Sequence, residues 1–376
     1  MRIGVMLRAM DEKQGIGVYS QNLMDELLSI DRINEYVLFY RNSGFLGRYS
    51  EYGNVKEKLV YAPNKAIWDQ VKMPFEAMRE NLDVIFHTKF TVPFFARCKT
   101  VMSIHGASWF VHPELYGKLD VAYIKVMMPL YCRKASVILS NSDLTTNDFI
   151  RILGVPPEKI HTARLGRNEN FKVIDDAGVL GDARARLNLP EKFILSVIKY
   201  DPRKNFENLI AAFRILRQRM SCKLVVAGIG CEKYLEEYSL DKDGTAEDVT
   251  FLGWVDQENL PVLYNLATCL FFPSVYEEFG IPACEAMACG CPPVVSKTGA
   301  LPEITGDAGI IVDPFNPSEM SDALERILVD ENMRKEYSDR CIVRARQFTW
   351  KLCAERTLEV LNSLHSEVRS DSDGSP

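Results

Sequence analysis

Two glutamates, Glu277 and Glu285, stand eight residues apart in the segment PSVYEEFGIPACEAMACGCPPVVS, residues 273–296. The apolar run before Glu277 predicts a strand, and Pro282 suits a first helical turn, which would also contain Glu285. One carboxylate could accept hydrogen bonds from a pair of ribose hydroxyls while the other reaches a sugar. The pattern also fits a plainer interpretation, in which the helix dipole favours Glu285 and Glu277 and Glu278 are solvated loop charges.

Three cations, Lys199, Arg203 and Lys204, fall between a predicted strand and a predicted helix in SVIKYDPRKNFENLIAAF, residues 196–213. Cations at such a position could neutralise a diphosphate, above all the charge that develops on a phosphate leaving group. The alternative is a solvated basic loop without a ligand.

Gly15 and Gly17 precede a predicted helix in LRAMDEKQGIGVYS, residues 7–20. Glycines allow a ligand to approach the backbone closely, and the N–H groups at a helix start suit an anion. The segment lacks the third glycine and the later acidic residue of the dinucleotide fingerprint, which argues against NAD. A turn that needs a positive φ explains the two glycines equally well.

His105 directly follows the predicted strand KTVMSI, residues 99–104. At the end of a strand, its imidazole could exchange a hydrogen bond with a sugar hydroxyl. A purely structural histidine is the alternative.

Short β-rich runs alternate with helical patterns along the whole chain, which is typical of parallel sheets with crossover helices. The expected fold class is α/β, with two Rossmann-like, doubly wound domains facing a cleft and ligands bound beyond the carboxyl ends of the strands. Residues 161–176 are polar and predict a loop between the halves, and residues 366–376 predict a disordered tail. The predicted strands are RIGVML, YVLFY, KLVY, LDVIFH, KTVMSIH, ASVILSNS, KFILSVI, CKLVVAG, DVTFLG, CLFFPS, PPVVS and GIIVD.

The composition excludes several classes of protein. The 376 residues carry a formal net charge of -6, which argues against a nucleic-acid partner. No apolar run is long enough to predict a transmembrane helix, and the N-terminus MRIGVML predicts a strand rather than a signal peptide.

Two groups of residues invite a metal-site interpretation. Ten cysteines without C-x-x-C spacing indicate a reducing compartment, so Cys284, Cys289 and Cys291 are expected to be buried thiols. Asp241 and Asp243 form a D-x-D pair, but they lie in a polar loop predicted to follow a helix rather than a strand. Neither group predicts a metal site.

Taken together, these motifs resemble the retaining glycosyltransferases of family 4, which have the GT-B fold. Residues 273–296 resemble the E-x7-E signature of that family, and residues 196–213 resemble the opening of its second domain. TGALPEITGDAGIIVDP, residues 298–314, resembles the segment after the signature, and FTWKLCAERTLEVL, residues 348–361, resembles the final helix. The resemblance covers nearly the whole chain.

The resemblance implies a role for each matching position. Lys204 and Lys199, with Arg203 beside them, would contact the donor diphosphate together with the Gly15–Gly17 loop. Glu277 and His105 would lie at the transferred sugar and Glu285 at the nucleotide ribose. The backbone N–H groups that would bind sugar hydroxyls or phosphate belong to Phe279, Gly280 and Ile281. No cofactor or metal is implied.

The resemblance also implies a division into domains. Residues 1–168 would form the acceptor-side domain and residues 169–348 the domain that binds the nucleotide sugar. The final helix, about residues 349–365, would pack back on the first domain.

Three positions depart from the family pattern. Lys199 stands where an arginine is usual, so a planar two-pronged phosphate contact becomes a point charge. Glu278 replaces a common glycine and adds charge near the sugar. LGRNENF, residues 165–171, replaces the usual N-G pair.

The function implied is transfer of a hexose, from GDP-mannose or a UDP-hexose, to a glycan or lipid-linked acceptor in surface polysaccharide biosynthesis. The location implied is cytoplasmic. A nucleotide-sugar epimerase or hydrolase of the same fold and a non-catalytic nucleotide-sugar-binding subunit remain alternatives. The segment KLDVAYIKVMMPLYCRKAS, residues 118–136, could lie on the inner membrane face as a basic amphipathic helix or be an ordinary crossover helix.

Overall fold

The computed structural model of the protein describes residues 1–12 and 15–372. The chain divides into two compact units: Met1–Leu165 together with Trp350 onward, and Gly166–Thr349. Each unit is built on one parallel sheet, which agrees with the two Rossmann-like domains that the sequence predicts.

The first unit contains a seven-stranded sheet in the order β3-β2-β1-β4-β5-β6-β7, with every neighbouring pair parallel. The order reverses direction between β1 and β4, which is the switch point of a doubly wound sheet. Strands β2, β4, β5 and β6 are almost continuously buried, as expected for strands covered on both faces. The strands are β1 Arg2–Met6, β2 Glu35–Tyr40, β3 Val55–Leu59, β4 Val84–His87, β5 Lys99–Ile104, β6 Val137–Ser140 and β7 Ile160–Thr162.

Helices connect these strands and begin and end at recognisable signals. The Ser142 side chain accepts a hydrogen bond from the Thr145 N–H before α6, and Gly154 ends that helix in the left-handed conformation. A π-helical turn, Trp68–Lys72, lies between α2 and α3. The helices are α1 Ile16–Ile30, α2 Lys65–Ile67, α3 Met73–Arg79, α4 Ser108–Val111, α5 Lys118–Lys134 and α6 Asp143–Leu153.

The second unit contains a six-stranded parallel sheet in the order β10-β9-β8-β11-β12-β13. Its switch point lies between β8 and β11, so the loops after these two strands emerge side by side. The strands are β8 Ile194–Val197, β9 Leu224–Ala227, β10 Val249–Gly253, β11 Cys269–Phe272, β12 Pro293–Ser296 and β13 Ile310–Val312.

Eight helices of the second unit, in the part of the chain that the structure describes, follow the same alternation. Asn316 and Asp330 cap two of them through their side chains. The helices are α7 Ala177–Arg186, α8 Phe206–Arg219, α9 Lys233–Glu237, α10 Leu260–Leu266, α11 Ile281–Ala288, α12 Leu301–Thr305, α13 Pro317–Val329 and α14 Glu331–Ala345.

The last helix, α15 Trp350–Ser372, belongs to the first unit and packs against α1. It continues well into the segment predicted as a disordered tail, residues 366–376, so that prediction is wrong up to Ser372. Residues 366–372 contain neither glycine nor proline to end a helix, although all of them except Val368 are polar. Residues 373–376 lie outside the described part of the chain.

The segment predicted as a loop between the halves needs a further correction. Residues 160–162 form β7, an edge strand that pairs with β6. Phe171 is fully buried, and its ring lies 6.0 Å from that of Tyr264. The segment is therefore packed at its start and at Phe171, whereas most of residues 172–176 are exposed.

Candidate functional site

The loops after β8 and β11 are joined directly. The Val275 N–H donates a hydrogen bond to the Arg203 carbonyl at 2.8 Å. The buried Asn205 amide donates to the carbonyls of Pro273 at 3.0 Å and Pro314 at 2.7 Å. Asn205 has a φ of +57°, which asparagine tolerates better than most residues. Asn205 thus fixes the loop containing the predicted cations against the loop containing the predicted glutamates.

Lys204 and Glu277 form an ion pair across these two loops. The Lys204 Nζ lies 2.5 Å from the Glu277 Oε1, and the side chains are only 14% and 12% exposed. The ammonium also lies 5.1 Å from the centroid of the Phe272 ring, a cation–π distance. The structure therefore brings together two residues that the sequence proposed separately, as a phosphate contact and a sugar contact.

Asp201, which the sequence analysis did not single out, binds the other two cations. Its carboxylate accepts hydrogen bonds from the Arg203 Nε at 3.1 Å and Nη2 at 2.8 Å, and it lies 3.3 Å from the Lys199 Nζ. Burial alone would raise the pKa of Asp201, but the bonds from Arg203 outweigh it and hold the pKa well below its usual range. Each of the three predicted cations is thus already paired with a carboxylate.

Glu278, the departure next to Glu277, also faces this cluster. Its Oε1 lies 3.9 Å from the Arg203 Nη1, at the outer limit of an ion pair. Arg203 consequently lies between two carboxylates, which reduces its capacity to attract a phosphate.

The turn after Glu277 depends on two glycines with positive φ. Gly280, at φ +101°, precedes α11, and a Cβ there would lie 2.5 Å from Leu301. Gly299, at φ +67°, lies so close to the Glu277 backbone that a Cβ would be 2.6 Å from its nitrogen. The Phe279 ring packs edge-on to Phe348 at 5.9 Å. The first N–H groups of α11, including that of Ile281, have no acceptor within the helix.

Glu285 lies in the second turn of α11, because the helix begins at Ile281. The prediction of a first-turn position is therefore wrong, and the helix dipole is not what accommodates this carboxylate. Glu285 is buried, and its Oε2 accepts a hydrogen bond from the Tyr264 hydroxyl at 3.1 Å. Burial raises the pKa of Glu285 to about 8, against the opposing effect of that hydrogen bond.

The two candidate metal groups have different surroundings. Cys284, Cys289 and Cys291 are buried free thiols, and burial raises the pKa of Cys289 to about 12. The Asp243 Oδ2 lies 2.7 Å from the Arg214 Nε, and a hydrogen bond from Thr245 holds the Asp243 pKa below its usual value. Among the described residues, no cluster of three or more histidines, cysteines or carboxylates could hold a metal ion.

His105 lies after β5 in the first unit, as the sequence predicts. Its Nε2 donates to the Thr88 carbonyl at 2.9 Å, and its ring packs edge-on to Tyr19 at 4.7 Å. Burial lowers the pKa of His105 to about 4. The imidazole is therefore neutral at physiological pH, and with Nε2 donating, Nδ1 is the acceptor nitrogen.

Different structural constraints explain the glycines at positions 15 and 17. Gly15 has a φ of +56° and precedes α1, and a Cβ there would meet nothing within 4 Å. At Gly17, a Cβ would lie 1.7 Å from the Glu12 carbonyl oxygen. Gly17 thus permits the first turn of α1 to pass the preceding backbone, while Gly15 provides a residue with positive φ at an open position.

A buried polar network at the ends of β1 and β4 escaped the sequence analysis. Arg8 donates two hydrogen bonds to Asp69, at 2.8 and 3.0 Å, and Thr91 donates one to Asp69 at 2.8 Å. The Thr91 carbonyl accepts from the Nδ1 of His87 at 2.9 Å. Asp69 lies in the π-helical turn, a feature that propensities along the sequence do not reveal.

Two family models match the chain. The model described as Glycosyltransferase Family 4 matches residues 14–170, and the model described as Glycosyl transferases group 1 matches residues 182–347. The chain belongs to the group 1/family 4 glycosyltransferases. Within this glycosyltransferase, Gly15, Gly17 and His105 fall in the first match, and the ion-paired cluster with Glu285 falls in the second.

Relatives cover the chain to different extents. The O-antigen chain mannosyltransferase B of Escherichia coli is 28% identical over 368 residues, which are 93% of this chain and 96% of that protein. The serotype-specific mannosyltransferase WbdA of Escherichia coli is 28% identical over 236 residues, which are 60% of this chain but only 28% of that protein.

Solved structures share the fold. HepE of Anabaena, crystallised with UDP and glucose, has a TM-score of 0.76 at 19% identity, covering 96% of this chain and 100% of that one. Sucrose-phosphate synthase from Thermosynechococcus elongatus has a TM-score of 0.75 at 21% identity, covering 98% and 100%. The glycosyltransferase therefore has the GT-B fold.

Proposed function

We propose that this glycosyltransferase moves a hexose from a nucleotide sugar to a hydroxyl of a glycan or lipid-linked acceptor in surface polysaccharide biosynthesis, with retention of configuration. The observation that carries the proposal is the enclosed Lys204–Glu277 pair at the switch point of the second sheet, with Glu285 in the second turn of α11. The match to O-antigen chain mannosyltransferase B along nearly its whole length favours mannose as the sugar and GDP-mannose as the first donor to test.

The proposed roles divide between the units. In the second unit, Lys204 and Lys199 would contact the diphosphate, Glu277 the sugar and Glu285 the ribose, with N–H groups of Phe279, Gly280 and Ile281 completing the site. In the first unit, the Nδ1 of His105 would accept from a sugar hydroxyl, and the segment of Gly15 and Gly17 would approach the diphosphate. Arg203, held between Asp201 and Glu278, would act by orienting these carboxylates rather than by binding phosphate.

The proposed chemistry needs no covalent intermediate and no metal. The bond between the sugar C1 and the diphosphate oxygen breaks while the acceptor oxygen bonds to C1 on the same face. The acceptor hydroxyl proton passes to the departing diphosphate. The task of the protein is then electrostatic, because Lys204 stabilises the charge on the leaving group and His105 and Glu277 hold the sugar.

Substitutions of Glu285 and Lys204 test this assignment. Glu285→Ala should mainly raise the donor KM, because a ribose contact is lost in both ground and transition states. Lys204→Ala should also lower kcat, by about a hundredfold, because the charge that it stabilises develops during the reaction. Near-normal turnover in both variants would reject this site.

Incubation with and without acceptor tests the reaction class. A transferase should consume GDP-mannose or a UDP-hexose slowly without acceptor and rapidly with it. Donor conversion to an epimer, or fast hydrolysis without acceptor, would overturn the transfer reaction. Activity lost with EDTA and restored by manganese would overturn its independence from metals.

We further propose that the protein is cytoplasmic and contacts the anionic inner face of the membrane through α5. The described residues contain no helix that could span a bilayer. One face of α5 is buried, but the other presents an exposed apolar stripe, with Leu119 86% and Val126 64% exposed. The stripe consists of Leu119, Tyr123, Val126 and Leu130.

The positive charges that flank this stripe favour an anionic membrane surface as its binding partner. Lys118, Lys125 and Arg133 flank it at exposed positions, with Asp120 as the one acidic residue of the helix, in a protein of net charge -6. Phe95, in the loop before β5, is also 77% exposed. It lies close to α5, because the ring of its neighbour Phe94 stacks on that of Tyr131 of α5 at 5.2 Å. Apolar side chains with flanking cations are the pattern of helices that lie on anionic bilayers.

Vesicle flotation tests the membrane contact. The protein should float with vesicles containing phosphatidylglycerol and not with pure phosphatidylcholine, and Val126→Glu should abolish flotation. Val329→Glu, at a similarly exposed valine of α13, is the control. Equal flotation with both vesicle types, or none with either, would contradict the proposal.

A further inference from the structure

The three cations of the candidate site differ in how far they and their carboxylate partners are enclosed. The Lys199 side chain is 46% exposed and that of Arg203 is 21% exposed. Those of Lys204 and Glu277 are 14% and 12% exposed, and their atoms lie 2.5 Å apart. An enclosed pair is screened less by water than an exposed one, and removing one partner leaves an uncompensated charge. The Lys204–Glu277 pair is therefore the one whose opening has the largest consequence.

The Glu277 backbone is held in place if the Lys204 ammonium turns to a phosphate. The Glu277 carbonyl accepts a hydrogen bond from the Ala300 N–H at 2.8 Å, and the Gly299 backbone packs directly on Glu277. Its carboxylate must then find other donors at the same place. The hydroxyls of a bound sugar are donors of the required kind.

We propose that the Lys204–Glu277 pair competes with the donor diphosphate, so that the site holds the intact nucleotide sugar more tightly than the nucleoside diphosphate it releases. The inference rests on the proposed function, because it assumes that Lys204 contacts the diphosphate and Glu277 the sugar. A nucleoside diphosphate draws Lys204 away and leaves Glu277 without a donor. A nucleotide sugar takes Lys204 with its diphosphate and supplies hydroxyls to Glu277 in exchange.

The competition gives the site a way to release product. When the sugar has moved to the acceptor, Glu277 loses its hydroxyl donors while Lys204 still contacts the diphosphate. Re-formation of the ion pair then weakens the hold on the nucleotide. The same two residues thus favour donor entry and product exit.

A double-mutant cycle on nucleotide binding separates competition from simple contact. Affinities for GDP and GDP-mannose, and for UDP and UDP-glucose, are measured by calorimetry without acceptor in the full chain and in Lys204→Met, Glu277→Gln and the double variant. In the wild-type background, the loss of Lys204 removes a phosphate contact but also removes the pair that opposed it. We expect Lys204→Met to weaken nucleoside diphosphate binding by about tenfold less in the wild-type background than in the Glu277→Gln background.

The ratio of affinities gives the second readout. In the wild type, the affinity for the nucleotide sugar should be at least about tenfold higher than that for its nucleoside diphosphate. This preference should be smaller in Glu277→Gln. Equal costs of Lys204→Met in both backgrounds, with nucleotide binding retained, would overturn the competition and leave the proposed function intact. If the wild type binds neither GDP and GDP-mannose nor UDP and UDP-glucose, the competition and the proposed function are both overturned.

A control variant separates this effect from general electrostatics. Asp248→Asn removes a carboxylate that lies 2.7 Å from the Lys223 Nζ, at the opposite, amino-terminal edge of the second sheet. It should leave both nucleotide affinities unchanged. Thermal unfolding of each variant establishes that it is folded, and the near-isosteric Glu277→Gln keeps the shape of the site.

Discussion

The Tyr264 hydroxyl donates a 3.1 Å hydrogen bond to the Oε2 of Glu285, and both side chains are buried. Tyr264 comes from α10 and Glu285 from α11, so the contact joins two helices of one unit. This single donor does not compensate the burial of a carboxylate, and the pKa of Glu285 consequently lies near 8. At neutral pH the free protein carries Glu285 mainly as the carboxylic acid.

Nucleotide binding should therefore strengthen as the pH rises. Ribose hydroxyls that donate to Glu285 favour its carboxylate, so the pKa falls in the complex and binding releases a proton. Affinity should increase by up to about tenfold per pH unit below pH 8 and level off above it. Calorimetry with GDP and UDP, in buffers of different ionisation enthalpy, measures both the affinity and the released proton.

Two variants control this prediction. Glu285→Gln cannot titrate, so its weaker binding should be independent of pH. Tyr264→Phe removes a hydrogen bond that favours the carboxylate, so the midpoint of the pH dependence should move upward. An affinity that falls as the pH rises towards 8 would contradict the role of Glu285.

The same pKa has the opposite consequence for the stability of the free protein. The folded-state pKa of Glu285 is raised from 4.5 to about 8, so its contribution is complete below the unfolded-state value and is lost as the pH rises through 8. Denaturant unfolding without nucleotide should show this loss in the wild type and not in Glu285→Gln.

Most strands of both sheets could be predicted because parallel strands covered on both faces are short apolar runs. β3 (VKEKL) lies at the edge of its sheet and has three charged residues at its centre, so the predicted strand KLVY overlaps it only at Lys58 and Leu59. The exceptions have physical causes. β7 has only three residues, and two of them, His161 and Thr162, are polar. Helix α7 contains Gly178 and Gly181, which weaken its helical pattern, although Asp176 caps it through its side chain.

The candidate site was predictable in its residue types but not in its pairing. Lys204 and Glu277 are separated by 73 positions, and only the adjacency of β8 and β11 brings them together. The sequence pattern predicted the three cations but not Asp201, because the role of Asp201 depends on the turn that directs its side chain to Arg203. The high pKa of Glu285 likewise comes from burial, which its neighbours in sequence do not disclose.

Asp201→Asn should destabilise the protein by about 1.5–3 kcal/mol, the typical value of hydrogen bonds to a charged group. Because the folded-state pKa of Asp201 is lowered, its contribution is present above the unfolded-state value of 3.8 and is lost as the pH falls through the folded value. The variant should therefore differ from the wild type at neutral pH and converge with it in acid. Urea unfolding at both conditions measures the difference.

Asp322→Asn is the matched control for Asp201. Asp322 also pairs with an arginine, Arg219 at 2.6 Å, but its side chain is 58% exposed. An exposed pair contributes about 0–1 kcal/mol, so this variant should be nearly neutral. Equal effects of the two substitutions would show that Asp201 has no special part in holding the loop.

His105→Gln should lower kcat/KM by about a hundredfold while leaving the first unit folded. A glutamine amide can still donate to the Thr88 carbonyl, but it removes the acceptor nitrogen of the ring. Since the pKa of His105 is about 4, the shape of the pH–rate profile near neutrality should not change. A limb of that profile that disappears in the variant would show that His105 titrates during catalysis.

Gly299→Ala should impair the reaction through the Glu277 backbone. At φ +67°, a Cβ would lie 2.6 Å from the Glu277 nitrogen and 2.7 Å from its carbonyl oxygen, so the loop must shift to admit the methyl group. A displaced Glu277 no longer meets Lys204 or the sugar in the right geometry, and kcat/KM should fall by about a hundredfold.

Gly244→Ala provides the comparison for Gly299, because Gly244 has a φ of +71° and a Cβ there would meet nothing within 4 Å. Both substitutions incur the strain of a left-handed alanine, about 1–2 kcal/mol by denaturant unfolding. Only Gly299→Ala adds the collision with Glu277, so only that variant should lose activity beyond its loss of stability. Parallel losses of activity in both variants would mean that strain alone, and not the placement of Glu277, limits the rate.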